Sequence, residues 1–386
     1  MKRENENRRR PSMVRLLTVL LIVCLLGAGS SLASEKGDGA PADEPLLLGY
    51  CQSDPYYEYD LQLYYLIKGL EEYGMIPEIL EAGEIGSDIS SRELWRYVSS
   101  MDQRGWKVTF APEVFLSLDT GADGANGPEK QMETLLKEQK IDMMITMGTK
   151  AGLAVKEQTG VPLMNFMAAD PVKAGIVKGT NFSGSSSVWA QVDPGNFTRS
   201  MEVMYDTFTP TRIGVVYADR DDAYVYSGAE ELDRFCEKQQ VEVSRVYVDD
   251  VFDDGDYDHY VHEMRAAGEA LAGSVDVFIL TTSLLNQEDF PYVLEPFYEA
   301  GVPVYSINSI VDVEYGALMA VESSDYQNIG RFGADTLRKY TGGASLETLN
   351  QVYQTAPFLV LNYTTAKRIG YRPDFDMLCS TSRIYH

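Results

Sequence analysis

Asn165-Phe-Met-Ala-Ala-Asp-Pro-Val-Lys-Ala-Gly-Ile-Val-Lys-Gly179 holds the junction from which the architecture of this chain can be read. It takes in the second half of an apolar run, Val161 to Ala168, whose continuity predicts a strand covered on both faces. The run ends in Asp170-Pro171, and Lys173-Ala-Gly175 then reads as the start of a helix. Proline lacks a backbone N–H and fixes one backbone angle, so regular pairing must stop there. A carboxylate at the carboxyl end of a core strand stands where open parallel sheets hold their ligands. Asp170 thus has two readings, a partner for a ligand amine or a cap for the segment that follows.

Working outward, strand-like runs alternate with helical ones. Leu46–Tyr50, Trp106–Phe110 and Ile141–Met147 predict strands, and Leu61–Tyr73, Glu129–Gln139 and Lys150–Gln158 predict helices. Beyond the junction the alternation restarts with strands at Arg212–Tyr217, Val243–Val248, Val275–Leu280 and Val302–Ser306. Helices at Ser227–Gln240, Tyr257–Ala272 and Phe290–Ala300 separate them. Two such sets in 386 residues predict an α/β protein of two lobes, each a parallel sheet with helices on both faces, and the junction as a crossover between them.

Composition narrows the function. The formal net charge is −25, so nucleic acid, which demands a basic face, is excluded as a partner. The N-terminus carries Arg8, Arg9, Arg10 and Arg15, then the apolar run Leu16–Leu26, then the small residues Ser31-Leu-Ala33. This is the order of a secretory signal peptide, 1–33, with cleavage expected after Ala33 and retention as an anchor as the alternative. Residues 34–44, rich in Gly, Ala, Asp and Pro, read as a flexible lead. The mature chain is expected outside the cytoplasm. Its cysteines, Cys51, Cys236 and Cys379, could form one disulfide whose pairing spacing alone does not assign.

Enzyme signatures are weak. Of three histidines, His259 and His262 fall on a polar helix and His386 is the last residue, so no strand end is supplied with a catalytic base. No nucleotide-binding glycine motif follows a strand, and no cofactor or metal is expected. The acidic run Asp249–Asp256 fits a calcium loop poorly, with Phe252 where an acid belongs, and reads as a solvated loop. What the strand ends do carry is hydroxyls, amides, carboxylates and tyrosines. Gly148-Thr149 opens a helix and offers N–H groups to an anion, or simply caps that helix. Tyr56, Tyr57, Tyr224 and Tyr226 could stack on a flat ligand or pack at the surface.

The residues Ala169-Asp-Pro-Val-Lys-Ala-Gly-Ile-Val177, preceded by Ile145-Thr-Met-Gly-Thr-Lys-Ala151, resemble a family of ABC-transporter substrate-binding proteins. So do Tyr315-Gly-Ala-Leu-Met-Ala-Val321, Asp325-Tyr-Gln-Asn-Ile-Gly-Arg331, Lys339–Ala344 and Leu361–Gly370. The resemblance spans roughly Lys140 to Tyr371; Glu81–Ser117 and the tail after Pro373 depart from it.

The resemblance implies two Rossmann-like lobes joined by a hinge of three crossings, the type I periplasmic binding protein fold. Lobe 1 would be 45–166 plus 303–322 and lobe 2 would be 167–302 plus 323–386, with Asp170-Pro171 at the first crossing. It further implies hinge closure on a small solute, an amino acid or similar, aromatic ones among them, and delivery by a monomer to an ABC permease in the membrane. The same fold feeding a membrane receptor or kinase, and a secreted α/β enzyme, are the alternatives. The expected cleft residues are Gln52, Tyr56, Gly148, Thr149, Asp170, Tyr217, Asp219, Thr282 and Asn308. The Thr149 turn would take a carboxylate, and Asp170 or Asp219 an ammonium.

Overall fold

Met143–Met147 (β3) and Leu163–Phe166 (β4) are buried at every position, as an apolar run must be when helices cover both faces. The computed structural model describes residues 44–80, 88–118, 132, 135–136, 138–218, 227–249, 256–281, 285–307, 309–322 and 325–386. With Leu46–Gln52 (β1), Val108–Ser117 (β2) and Val188–Ala190 (β5), these two strands form a five-stranded sheet in the order β2-β1-β3-β4-β5. All of its pairings are parallel.

The second sheet has seven strands. Arg212–Ala218 (β6), Glu242–Val248 (β7), Val277–Leu280 (β8), Val304–Ser306 (β9) and Met319–Glu322 (β10) pair in parallel in the order β10-β9-β8-β6-β7. Phe358–Asn362 (β11) joins β10 antiparallel, and Thr381–Tyr385 (β12) completes the far edge parallel to β11.

Helices fill the connections. Tyr57–Glu72 (α1) follows β1, and Ser91–Ser99 (α2) starts on a capping box in which Ser90 and Glu93 satisfy each other's backbone N–H. Thr149–Gln158 (α3) follows β3, Asn196–Phe208 (α4) follows β5, and Ala229–Gln239 (α5) follows β6. Tyr257–Leu271 (α6), Phe290–Ala300 (α7), the short Val311–Tyr315 (α8), Tyr326–Thr341 (α9), Tyr363–Ile369 (α10) and Phe375–Ser380 (α11) follow in turn.

Two differences from the expected lobe borders are plain. β9 pairs with β8 and β10 pairs with β9, so 303–322 lies in the second sheet, because α7 returns the chain beside β8 by the usual parallel crossover. Conversely, β5 extends the first sheet and α9 packs against α1, so the first lobe keeps the chain to about residue 190 and takes it back for α9. That helix pair is close because both sides offer glycine: a Cβ on Gly330 would lie 2.4 Å from the backbone of Tyr65, and one on Gly69 would lie 2.9 Å from Ala334 Cβ. Ile329, Ala334 and Leu337 of α9 share the core of Leu66, Ile67 and Trp95.

The chain therefore passes between the lobes three times: β5 to α4, β10 to α9, and Leu349 to β11. The first and third passages run side by side, with a parallel bridge between Val192 and Val352 and the N–H of Tyr353 donating to Val192 O at 3.0 Å. The second is tied to the third where the Tyr353 hydroxyl donates to Asp325 Oδ2 at 3.3 Å. Asp170-Pro171, expected at the first crossing, lies before β5 and inside the first lobe, and turns rather than a helix follow it. Among the described residues no helix is long and apolar enough to cross a membrane; the expected signal segment lies outside them.

Candidate functional site

Parallel sheets direct their carboxyl ends to one side, and here both sheets bring those ends to a cleft of about 270 Å³. From the first lobe come Tyr56, Glu58 and Tyr59 at the start of α1, with Met167, Ala168 and Ala169 after β4. The first crossing supplies Gln191 and Asp193, and α4 presents Asn196, Phe197 and Ser200 on one face, as spacing of three and four residues requires. The second lobe supplies Thr281 after β8, with Ser306 at the end of β9 and Ile307, Ser309 and Ile310 beyond it. Val321, Tyr326 and Ile329 close the cleft at the second crossing.

The lining is aromatic, hydroxylic and acidic. Among the described residues no lysine, arginine or histidine lines it. The rings of Tyr56 and Tyr59 meet edge to face at 5.1 Å. Burial, reinforced by the negative charge of Glu58, pushes the Tyr56 phenol far above its ordinary range, so it stays neutral and able to donate.

Glu58 links the lobes. Its Oε1 accepts from Ser309 Oγ at 2.8 Å, a contact between α1 of one lobe and the segment after β9 of the other. Ser309 is held for this by its own segment, its N–H donating to Ser306 Oγ at 3.2 Å while Ser306 Oγ donates to Asp312 Oδ2 at 2.6 Å. Lys173 makes a second link, with its ammonium 2.8 Å from Glu230 Oε2 on α5 and also on Glu231. Burial opposes the Lys173 charge, but these two carboxylates outweigh it and its pKa rises.

Asp193 fixes the first crossing. Its Oδ1 accepts from Arg199 Nη2 at 2.5 Å and its Oδ2 from the N–H of Thr355 at 3.3 Å. Burial raises its pKa, against the pull of Arg199 and the Thr355 N–H. One carboxylate thus joins the first passage, the third passage and α4.

The expected residues fall unevenly around this cleft. Tyr56 lines it. Gly148 and Thr149 stand behind: Gly148 adopts φ +88, and a Cβ there would meet Tyr59 Oη at 2.2 Å and Ser53 Oγ at 2.5 Å. The turn spends one of its donors internally, because Ser53 Oγ accepts from the N–H of Ala151 at 3.1 Å. Thr149 Oγ1 accepts from the N–H of Ala169 at 3.3 Å. Gln52 is buried and donates to Ser117 Oγ at 3.4 Å, and Tyr217 is buried in the second sheet; neither lines the cleft.

Asp170 is half-buried and accepts from the N–H groups of Val172 and Lys173 at 3.0 and 2.9 Å, the capping alternative of its two readings. Asp219, Thr282 and Asn308, with Tyr224 and Tyr226, lie outside the described residues. Glu58 and Tyr59 were legible in principle, lying within three residues of Tyr56. The residues of the first crossing were not, because β5 has three residues and shows no periodicity.

A family model described as ABC transporter substrate binding protein matches residues 120–379. The chain belongs to that family. It is a family of substrate-binding proteins rather than of enzymes. No curated protein sequence matches this substrate-binding protein. Among solved structures it is similar to an ABC domain from Streptococcus pneumonia in complex with L-Trp, at 18% identity and TM-score 0.62 over 88% of this chain and 100% of that one. It is also similar to the ligand-free, open structure of a substrate binding protein with adhesive properties from Clostridium difficile, at 19% identity and TM-score 0.63, covering 88% and 99%. A conserved domain protein from Vibrio cholerae matches at 19% identity and TM-score 0.61, covering 88% and 100%. These likenesses establish the fold, two parallel α/β lobes of the type I periplasmic binding protein kind.

Proposed function

We propose that this substrate-binding protein acts outside the cytoplasm, closes its lobes on one small solute and delivers it to an ABC permease in the membrane. The observation that carries the reading is the cleft itself: it lies between the lobes at their first and second passages, and a hydrogen bond from Ser309 to Glu58 already crosses it. Hinge closure around such a cleft buries the solute, and every polar group it brings must then find a partner.

The solute is an amino acid or a close analogue. A volume of about 270 Å³ stands at the small end of ligand sites, which run roughly 300–1,000 Å³. Glu58 and Asp193 supply negative charge for an ammonium, and the hydroxyls of Ser200, Ser306 and Thr281 supply donors for a carboxylate. Tyr56, Tyr59, Phe197 and Tyr326 offer faces and edges to an aromatic side chain. The pneumococcal structure that holds L-Trp shares the fold, and the solute class here rests on the lining. Asp219, Thr282 and Asn308, each following a second-sheet strand in sequence, remain proposed contributors, and the N-terminal segment 1–33 is proposed as the export signal.

Native mass spectrometry of the purified chain, followed by a thermal-shift screen of amino acids and nucleobases, tests the reading, since a ligand bound by the folded state raises its melting temperature. One amino acid raising the melting temperature with one-to-one stoichiometry is expected. Chemical turnover of the bound compound would place the protein among enzymes and overturn the reading.

A further inference from the structure

Away from the cleft, the carboxyl end of β7 meets the first two turns of α6, and three metal-ligating side chains converge there. His259 Nε2 lies 3.6 Å from Asp249 Oδ2 and 3.6 Å from Glu263 Oε1. One donor atom from each of the three falls within 4.8 Å of the others. We propose that Asp249, His259 and Glu263 form a binding site for a divalent transition-metal ion of the zinc type.

The distances carry the argument. At 3.6 Å the imidazole is too far from either carboxylate for a hydrogen bond. Ligands about 2.0–2.1 Å from a tetrahedral zinc stand roughly 3.4 Å from one another, so the observed spacing is close to the edge of such a polyhedron. An imidazole with two carboxylates suits zinc, cobalt or nickel, whereas calcium and magnesium favour all-oxygen sets.

The site is also supported from behind. His259 and Glu263 are one helical turn apart on one face of α6. Asp256 caps that helix by accepting from the N–H of His259 at 3.0 Å, which fixes where the imidazole leaves the backbone. The N–H of Asp249 donates to Glu263 Oε2 at 2.7 Å, which leaves Oε1 turned toward His259. Asp249 and His259 are exposed and Glu263 is half-buried beneath them, so an ion has an entry path and water can complete its shell. An occupied site would tie the edge strand β7 to α6 and stabilise the second lobe.

Zinc chloride titrated calorimetrically into chelator-treated full chain tests the proposal, with cobalt as a spectroscopic probe. One ion per chain is expected, with a rise in melting temperature and a cobalt absorption spectrum of low coordination number. His259→Ala should weaken zinc at least about ten-fold, the scale found even for residues that merely support a ligand, and Glu263→Gln should do the same, with both variants folded by circular dichroism. Zinc affinity unchanged in folded His259→Ala overturns the site. So does calcium binding that requires Asp249 and Glu263 but is indifferent to His259.

Discussion

The hydroxyl of Ser309 donates to the carboxylate of Glu58 at 2.8 Å, and 251 positions of sequence separate the two residues. Neither belongs to a recognisable motif. The pair exists because α1 and the segment after β9 both lie at carboxyl strand ends, in different sheets, and face each other across the cleft.

A hydrogen bond to a charged group contributes about 1.5–3 kcal/mol when its surroundings are dry. Ser309→Ala removes this one and leaves the carboxylate on the other lobe, so the closed form should lose stability relative to the open one. Solute affinity is expected to fall by about 1–3 kcal/mol, and the radius of gyration from solution scattering should rise. If the variant matches the parent in both measurements, the contact does not act as a clasp.

Gly148 tests how the site is supported. Its φ of +88 with ψ of 168 is a conformation open to glycine and almost no other residue, and an added Cβ would press on Tyr59 and Ser53. Gly148→Ala should cost about 2–4 kcal/mol in urea unfolding, from backbone strain together with overpacking. A loss below about 0.5 kcal/mol, the scale of an ordinary surface change, would mean that the turn relaxes freely.

The fold was largely legible in the sequence, and the cleft only in part. Continuous apolar runs such as Val277–Leu280 announced themselves, and the helix expected at Phe290–Ala300 is found there. Lobe membership was not legible, because the helical pattern of Tyr326–Thr341 says that one face is buried and not against what; the glycines at 69 and 330 decide that in three dimensions. β5 escaped for its length, and α2 because its capping box sits in a segment that departs from the family pattern. At the cleft, strand-end logic points to loops that line it but chooses within them by chemistry alone. Tyr56, Glu58 and Tyr59 all line the cleft, and only the first is among the expected residues.

Alkaline pH should unfold the second lobe through its buried phenols. Burial pushes the Tyr298 pKa from its ordinary 10.0 to about 12, against the lowering effect of Arg368, and its hydroxyl donates to Gly316 O at 2.9 Å. The folded state therefore holds this proton more tightly than the unfolded one. The associated stability is fully present below pH 10 and is lost as pH rises toward about 12, a total on the order of 2–3 kcal/mol. Urea unfolding across that window should show stability falling, and Tyr298→Phe should flatten the fall while costing about 1 kcal/mol at neutral pH. Identical slopes in parent and variant would assign the titration to other groups.

Thiol chemistry should separate the three described cysteines. Cys51 and Cys236 are buried and Cys379 is exposed. Burial, with Asp233 nearby, raises the Cys236 thiol to about 11, so little thiolate forms at pH 8. An aromatic disulfide reagent should label one thiol of the mature folded chain rapidly and the others only after unfolding. Rapid labelling of two or three would show that the lobes open far enough to expose β1 or α5.

The last comparison sets Asp170 against Glu58, the carboxylate that sequence reasoning chose against the one that the fold places in the cleft. Asp170 spends its Oδ1 on the N–H groups of Val172 and Lys173 and does not line the cleft, so Asp170→Ala should cost about 0.5–2 kcal/mol of stability, as for other caps. It should leave solute affinity unchanged. Glu58→Gln keeps the size of the side chain and an acceptor for Ser309 but removes the charge that an ammonium would meet. It should weaken an amino acid by about 1.5–3 kcal/mol, the scale for a charged hydrogen bond, while a neutral analogue lacking the amine should bind parent and variant alike. Calorimetry on the two variants with the solute found by screening decides it. A loss of affinity in Asp170→Ala without one in Glu58→Gln would return the ammonium site to the turn after β4 and leave Glu58 as an interlobe contact only.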